Sequence, residues 1–169
     1  MKATHREVLA PLLQDAVEGV FSAYGNESRA VDGEDHGHDI VAVLGFAADH
    51  LRGGLALGIS FDLAKRIAPT DCGSPEHDWV GELANQVLGR MRNQLLRYDV
   101  DLGVGSPVVL AGVGISVKPS RDVGLHHQCF LSGTERFDAF LEVVFDAGYE
   151  FKAPHEESMA ASEGSLLMF

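Results

Sequence analysis

The chain is poor in cysteine, in basic residues and in long apolar runs. Only Cys72 and Cys129 occur among 169 residues, too few for a disulfide framework. Lys and Arg number 13 against 25 Asp and Glu, a formal net charge of −12, and the pI is about 4.9. Non-specific nucleic-acid binding rests on basic side chains neutralising phosphates, so this balance excludes it. No apolar run approaches the roughly 20 residues that a membrane span needs. Behind Met1, Asp15 and Glu18 interrupt the apolar positions, which leaves no signal-peptide core. These absences lead us to expect a cytoplasmic protein with neither a membrane nor a nucleic-acid partner. What is present in quantity is apolar: 46% of residues are hydrophobic. A chain of this length and composition fits one globular domain with a core of ordinary size.

Hydrophobic periodicity organises the chain. Val8, Leu9, Leu12, Leu13, Ala16, Val17, Val20 and Phe21 recur at helical spacing and predict a helix over 4–24. Thr4 and Glu7 make a capping-box pattern at its start, and Gly25-Asn26 stops it. Residues 26–37 are polar and read as a loop. Residues 39–48 and 53–60 are rich in Val, Leu, Ala and Ile and read as a β-hairpin. Ser60 is placed to cap a short helix over 61–68. Ser74-Pro75-Glu76 opens a long helix that runs to about Tyr98, with Pro75 at the first helical position. The second half is strand-like: 99–104, 107–118, 125–132 and 136–146, with a hairpin loop at Gly133-Thr134-Glu135. The expected fold is α+β, an antiparallel sheet of about six strands with two long helices on one face. We draw the domain as 1–149 and treat 150–169, which lacks periodicity, as a flexible C-terminal tail. No internal repeat is found.

The most informative segment is Gly81-Glu82-Leu83-Ala84-Asn85-Gln86-Val87-Leu88-Gly89, inside the long helix. Trp79, Val80, Leu83, Val87, Leu88, Met91 and Leu95 form its apolar stripe. At 100° per residue, Glu82 and Asn85 fall nearly opposite that stripe, and Gly89 and Asn93 continue the polar face. A glycine inside a helix costs about 1 kcal/mol relative to alanine, which calls for a reason.

This string resembles the E-x-x-N signature of the CheC/CheX/FliY family, phosphatases of the phosphorylated chemotaxis response regulator CheY. One copy is present, which is similar to CheX; the helix over 4–24 carries no second one. The resemblance implies an enzyme that hydrolyses the aspartyl phosphate of a CheY-like regulator. In that role Asn85 would orient the attacking water and Glu82 would contact the regulator's lysine. Gln86, Gly89, Arg92 and Asn93 are the candidate partner-binding residues. The resemblance further implies a homodimer, which we expect to be built on the strands at 107–118 and 125–132. It implies no cofactor on this chain, since Mg²⁺ belongs to the regulator. The alternative is a non-catalytic dimeric module that binds or scaffolds a regulator without turnover.

Other constellations are weaker. Arg90, Arg92 and Arg97 gather at the end of the long helix, where the macrodipole favours cations whatever they bind. His36, His38 and Asp39, and His126, His127 and Cys129, are residue types that zinc takes. Their spacing matches no standard finger, no fourth ligand is apparent, and adjacent His126 and His127 on a strand point to opposite faces. No metal is therefore assigned. Gly103-Val104-Gly105 and Gly112-Val113-Gly114 do not continue into G-x-G-x-x-G and read as bulges or close backbone contacts.

Overall fold

A computed structural model describes residues 3–69, 75–118 and 125–155. Among them are three helices, α1 (Ala3–Ala23), α2 (Phe61–Ile67) and α3 (Glu76–Leu95), and seven strands. The strands are β1 (Arg29–Val31), β2 (His38–Ala48), β3 (Leu51–Ile59), β4 (Gly103–Val104), β5 (Val108–Ile115), β6 (Leu125–Ser132) and β7 (Glu135–Phe145). They form one antiparallel sheet in the order β1-β6-β7-β3-β2, with β4 and β5 both paired to the outer side of β2. None of the helices is long and apolar enough to cross a membrane.

The main core lies between one sheet face and the pair α1 and α3. The predicted stripes of both helices are buried in it: Leu9, Leu12, Leu13, Ala16, Val17, Val20 and Phe21 from α1, and all seven stripe residues from α3. Phe21 stacks on Phe137 of β7 at 4.3 Å between ring centroids, which seats α1 on the sheet. A smaller cluster on the other face joins Val41, Ala56 and Phe140, with Ile115, Val117 and Leu125 packed against it.

Local signals account for much of this. Ser60 caps α2, its hydroxyl accepting from the Leu63 N–H at 3.1 Å. Gly25, at φ 72°, turns the chain out of α1, while the Asn26 N–H closes back on the Phe21 carbonyl. The Gly112–Gly114 segment lies in the β5 irregularity that shifts register against β2 between His38 and Ile40.

Several expectations need correction. Thr4 is inside α1, which already starts at Ala3, so it is not the cap. Pro75 occupies the N-cap of α3 rather than its first turn. That helix ends at Leu95, and Leu96–Tyr98 tighten into a 3₁₀ turn that stops at Asp99 in the left-handed region. Residues 29–31, read as loop, add β1 to the edge of β6. The strand expected over 99–104 shrinks to β4.

Residues past the expected boundary at 149 make contacts with the domain. Phe151 packs against the main core and meets the rings of His5, Phe145 and Tyr149. Lys152 pairs with Asp99 at 2.8 Å, and the His155 N–H donates to the Arg97 carbonyl at 2.8 Å. The remainder of the expected tail, 156–169, lies outside the described residues. Truncation after His155 keeps every contact just given, so its melting temperature is the reference. Truncation after Glu150 strips Phe151 from its aromatic neighbours and should lower it by about 3–8 °C, from a loss of roughly 1–2 kcal/mol. Differential scanning calorimetry of the two proteins distinguishes these outcomes; equal melting temperatures would place the true domain end before Phe151.

Candidate functional site

The long helix α3 builds the site by presenting one face while burying the other. Gly81, Leu83, Ala84, Val87 and Leu88 face the core, and Glu82 and Asn85 are exposed between them. Glu76 and Asp78 in the first turn complement the positive end of the helix. The Asn85 and Asn93 side chains make no hydrogen bond or ion pair with another described residue. Their amides remain free to act on something outside the chain.

Glu82 is held in place. Its Oε1 accepts from Gln86 Nε2 at 3.0 Å, one helical turn on. The same Gln86 amide donates to the Tyr24 hydroxyl at 2.6 Å. Tyr24 in turn stands edge-on to Trp79 at 4.7 Å, which ties the end of α1 to the start of α3. Gln86, expected to contact a partner, is half-buried and spends its amide N–H groups inside the chain. Its observed work is to orient Glu82.

Gly89 needs no internal explanation, because a Cβ built there meets nothing within 4 Å. The glycine makes no room for another part of this protein. It leaves bare helix backbone beside Glu82 and Asn85, the close approach that a docked partner would use.

The arginines are taken up locally. Arg92 pairs with Asp101 at 2.9 Å, with both surfaces largely exposed. The Arg97 guanidinium lies 5.3 Å from the Tyr98 ring centre, and Arg90 lies over Gly19 of α1. Of the residues expected to meet a partner, Gly89 and Asn93 are free and share the exposed face, while Gln86 and Arg92 are engaged.

The residues considered for metal binding end up differently from their sequence pattern. His126 points into the helix side of the sheet, and His127 and Cys129 point to the other side, beside Asp138 of β7. The loop before β2 and the first residue of β2 bring His36 and His38 to the same carboxylate, at 3.1 and 3.2 Å from Asp138 Oδ2. The carboxylate that joins these residues is therefore Asp138, about a hundred residues from the histidines and invisible to spacing. Burial alone would push the Asp138 carboxyl up. Its polar contacts with His38, His127 and Cys129 outweigh this and hold it below the ordinary carboxylate range. Burial and the Asp138 charge push the Cys129 thiol up to about 11, so this cysteine is no nucleophile.

No protein-family model and no curated protein sequence matches the chain. Solved structures do. A CheC-like superfamily protein from Shewanella sp. PV-4 superposes with a TM-score of 0.72 at 20% identity, covering 85% of this chain and 99% of its own. Chemotaxis protein CheX from Vibrio vulnificus gives 0.68 at 20% identity, covering 80% and 95%. CheX in a CheX–CheY–BeF₃–Mg²⁺ complex from Borrelia burgdorferi gives 0.57 at 12% identity, covering 79% and 96%. The chain thus has a CheX-like and CheC-like fold over most of its length, as the E-x-x-N string implied.

Proposed function

We propose that this chain docks on a phosphorylated CheY-like response regulator through the exposed face of α3 and hydrolyses its aspartyl phosphate. The observation that carries the proposal is the state of that face. A free carboxamide, a carboxylate held by Gln86 and a glycine with open space above it lie together on one rigid helix. A solvated helix face gives no reason for the glycine, which costs about 1 kcal/mol there. The CheX–CheY complex named above, whose CheX shares this fold, supports the choice of partner.

The chemistry asked of this chain is small. In phosphoryl transfer most of the barrier is lowered by positioning and by charge stabilisation. The regulator brings its own Mg²⁺ and lysine. Asn85 contributes a neutral acceptor that holds the attacking water in line without repelling the phosphoryl oxygens. Glu82 sets the docking by meeting the regulator's lysine.

The first test of this reading is binding. A regulator activated with beryllofluoride and Mg²⁺ should bind more tightly than the unactivated form, and amide shifts or exchange protection should map to Glu82, Asn85, Gly89 and Asn93. Binding indifferent to activation, or protection elsewhere than α3, would contradict it.

We further propose a two-fold homodimer through β5. Of the two strands expected at the interface, β6 is covered by β1 along Cys129–Leu131, whereas β5 pairs only with β2 among the described residues. Its exposed residues are apolar: Val108 is 61%, Leu110 49% and Val113 96% accessible. Open apolar edges pair unless blocked, and a two-fold axis lets β5 extend the sheet of its copy. Sedimentation at micromolar concentration should give the mass of two chains, and Leu110→Glu should give one. A single-chain mass for the unmodified protein would end this proposal.

A further inference from the structure

The geometry points to a transition-metal site of the zinc class on the sheet face away from the helices, with His36 Nδ1, His38 Nε2 and Asp138 Oδ2 as ligands. These three atoms lie within 4.8 Å of one another. His36 Nδ1 and His38 Nε2 stand 3.1 and 3.2 Å from Asp138 Oδ2, and His38 Nε2 stands 3.3 Å from Asp35 Oδ1. Two ligands of one tetrahedral zinc, each at about 2.0–2.1 Å, are about 3.3 Å apart. The two nitrogen-to-oxygen separations are those of atoms sharing an ion.

Two atoms of the cluster lack a well-formed hydrogen bond. Asp138 is fully buried and His38 nearly so. His38 Nε2 and Asp138 Oδ2 stand 3.2 Å apart, yet none of the contacts of either atom has hydrogen-bond geometry. Orphaned buried polar atoms are costly and need a reason. A cation between them supplies one, because a neutral imidazole nitrogen and a carboxylate oxygen can both donate a lone pair to it. The second carboxylate oxygen is already used: Asp138 Oδ1 is 2.8 Å from His127 Nε2, an outer contact that fixes the ligand's orientation.

The backbone around the site is shaped to admit it. His38 lies over Gly58 of β3, where any Cβ would collide with its ring. The turn that carries His36 is held by Asp35, whose Oδ1 accepts the Gly37 N–H at 3.0 Å, and Gly37 takes φ 77° to make the turn. The His36 side chain is 43% accessible, which opens a route in from solvent. The fourth position falls to water or to Asp35. An N₂O donor set suits Zn²⁺ and Co²⁺ and does not suit Mg²⁺ or Ca²⁺. The ion would clamp the loop before β2 onto β7, on the opposite sheet face from α3, so this site stands or falls independently of the regulator-binding reading.

The test uses the full chain without an affinity tag, stripped with a chelator and titrated with Zn²⁺ against a chromogenic competitor. One Zn²⁺ per chain should bind with a Kd below about 1 μM. Zn²⁺ at 100 μM should raise the melting temperature by several degrees, while Mg²⁺ at the same concentration should not. Co²⁺ should give the visible bands of a four- or five-coordinate site. His36→Ala alters a partly exposed side chain and should fold normally while losing at least about 100-fold in Zn²⁺ affinity. His127→Ala should lose about 10- to 100-fold. Asp138→Asn should abolish binding, and if it does not fold, His36→Ala decides. His50→Ala, at a surface histidine elsewhere, should bind like the unmodified protein. No stoichiometric uptake at 100 μM Zn²⁺, or unchanged affinity in His36→Ala, would overturn the site and leave a metal-free His–Asp cluster.

Discussion

Asn85→Ala should abolish regulator dephosphorylation and leave the protein folded. The side chain is exposed and makes no hydrogen bond or ion pair with another described residue, so truncation opens no cavity and strands no buried group. Alanine is also the better helix former, so stability should hold or rise slightly. The loss should be at least about 100-fold in single-turnover rate, the scale on which misplacing a reacting group acts. It should fall on turnover rather than on affinity, because the carboxamide acts on the water and not on docking. Glu82→Ala should behave differently. Its carboxylate is held for a partner by Gln86, so removal should weaken binding as well as rate. That weakening should be larger at low salt, where the missing charge pair is least screened. Phosphate release and binding to the beryllofluoride-activated regulator, measured separately, distinguish the two variants. Asn85→Ala turning over like the unmodified protein would make α3 a solvated face and the chain a binding module.

The second large effect should come from Gly89, where stability and function part. A methyl group there meets no atom within 4 Å, so Gly89→Ala should raise stability by about 1 kcal/mol, or roughly 2–4 °C in melting temperature. Gly89→Trp should also fold, since the side chain projects away from the core. It should weaken regulator binding at least about 30-fold by filling the space that the partner's surface would occupy. This pair separates the two reasons for a glycine. Gly89→Trp binding the activated regulator as tightly as the unmodified protein would mean that docking does not use this face.

Much of the fold was legible because it follows from periodicity. The α3 stripe from Trp79 to Leu95, the exposed pair Glu82 and Asn85, and the hairpin of β2 and β3 are set by local spacing, and the structure has all three. The strand β1 was not legible. Three residues, Arg29 to Val31, sit in a polar stretch and become a strand only because the free edge of β6 pairs with them. The docking of Phe151 was hidden for a similar reason, since its ring partners lie at both ends of the chain. In the site, the helix face could be read but its support could not. Gln86 reads as a partner contact, and the hydroxyl of Tyr24 just past α1, which takes its amide, lies too far along the chain for spacing to reveal. The cluster around Asp138 depends on residues from a loop, β2, β6 and β7, and no spacing rule joins them. Sequence patterns reach what lies within a turn or a strand, and tertiary pairing decides the rest.

Asn85 acts on turnover, which single-turnover dephosphorylation reads directly. A response regulator is phosphorylated with a small phosphodonor in Mg²⁺, freed of excess donor, and mixed with a molar excess of this protein while loss of the phosphoryl group is followed. The loss should be single-exponential and faster than the regulator's own decay by at least about 100-fold, returning to the intrinsic rate when Asn85→Ala is used instead. A regulator that binds the protein in its activated form and yet keeps its phosphoryl group at the intrinsic rate would contradict it.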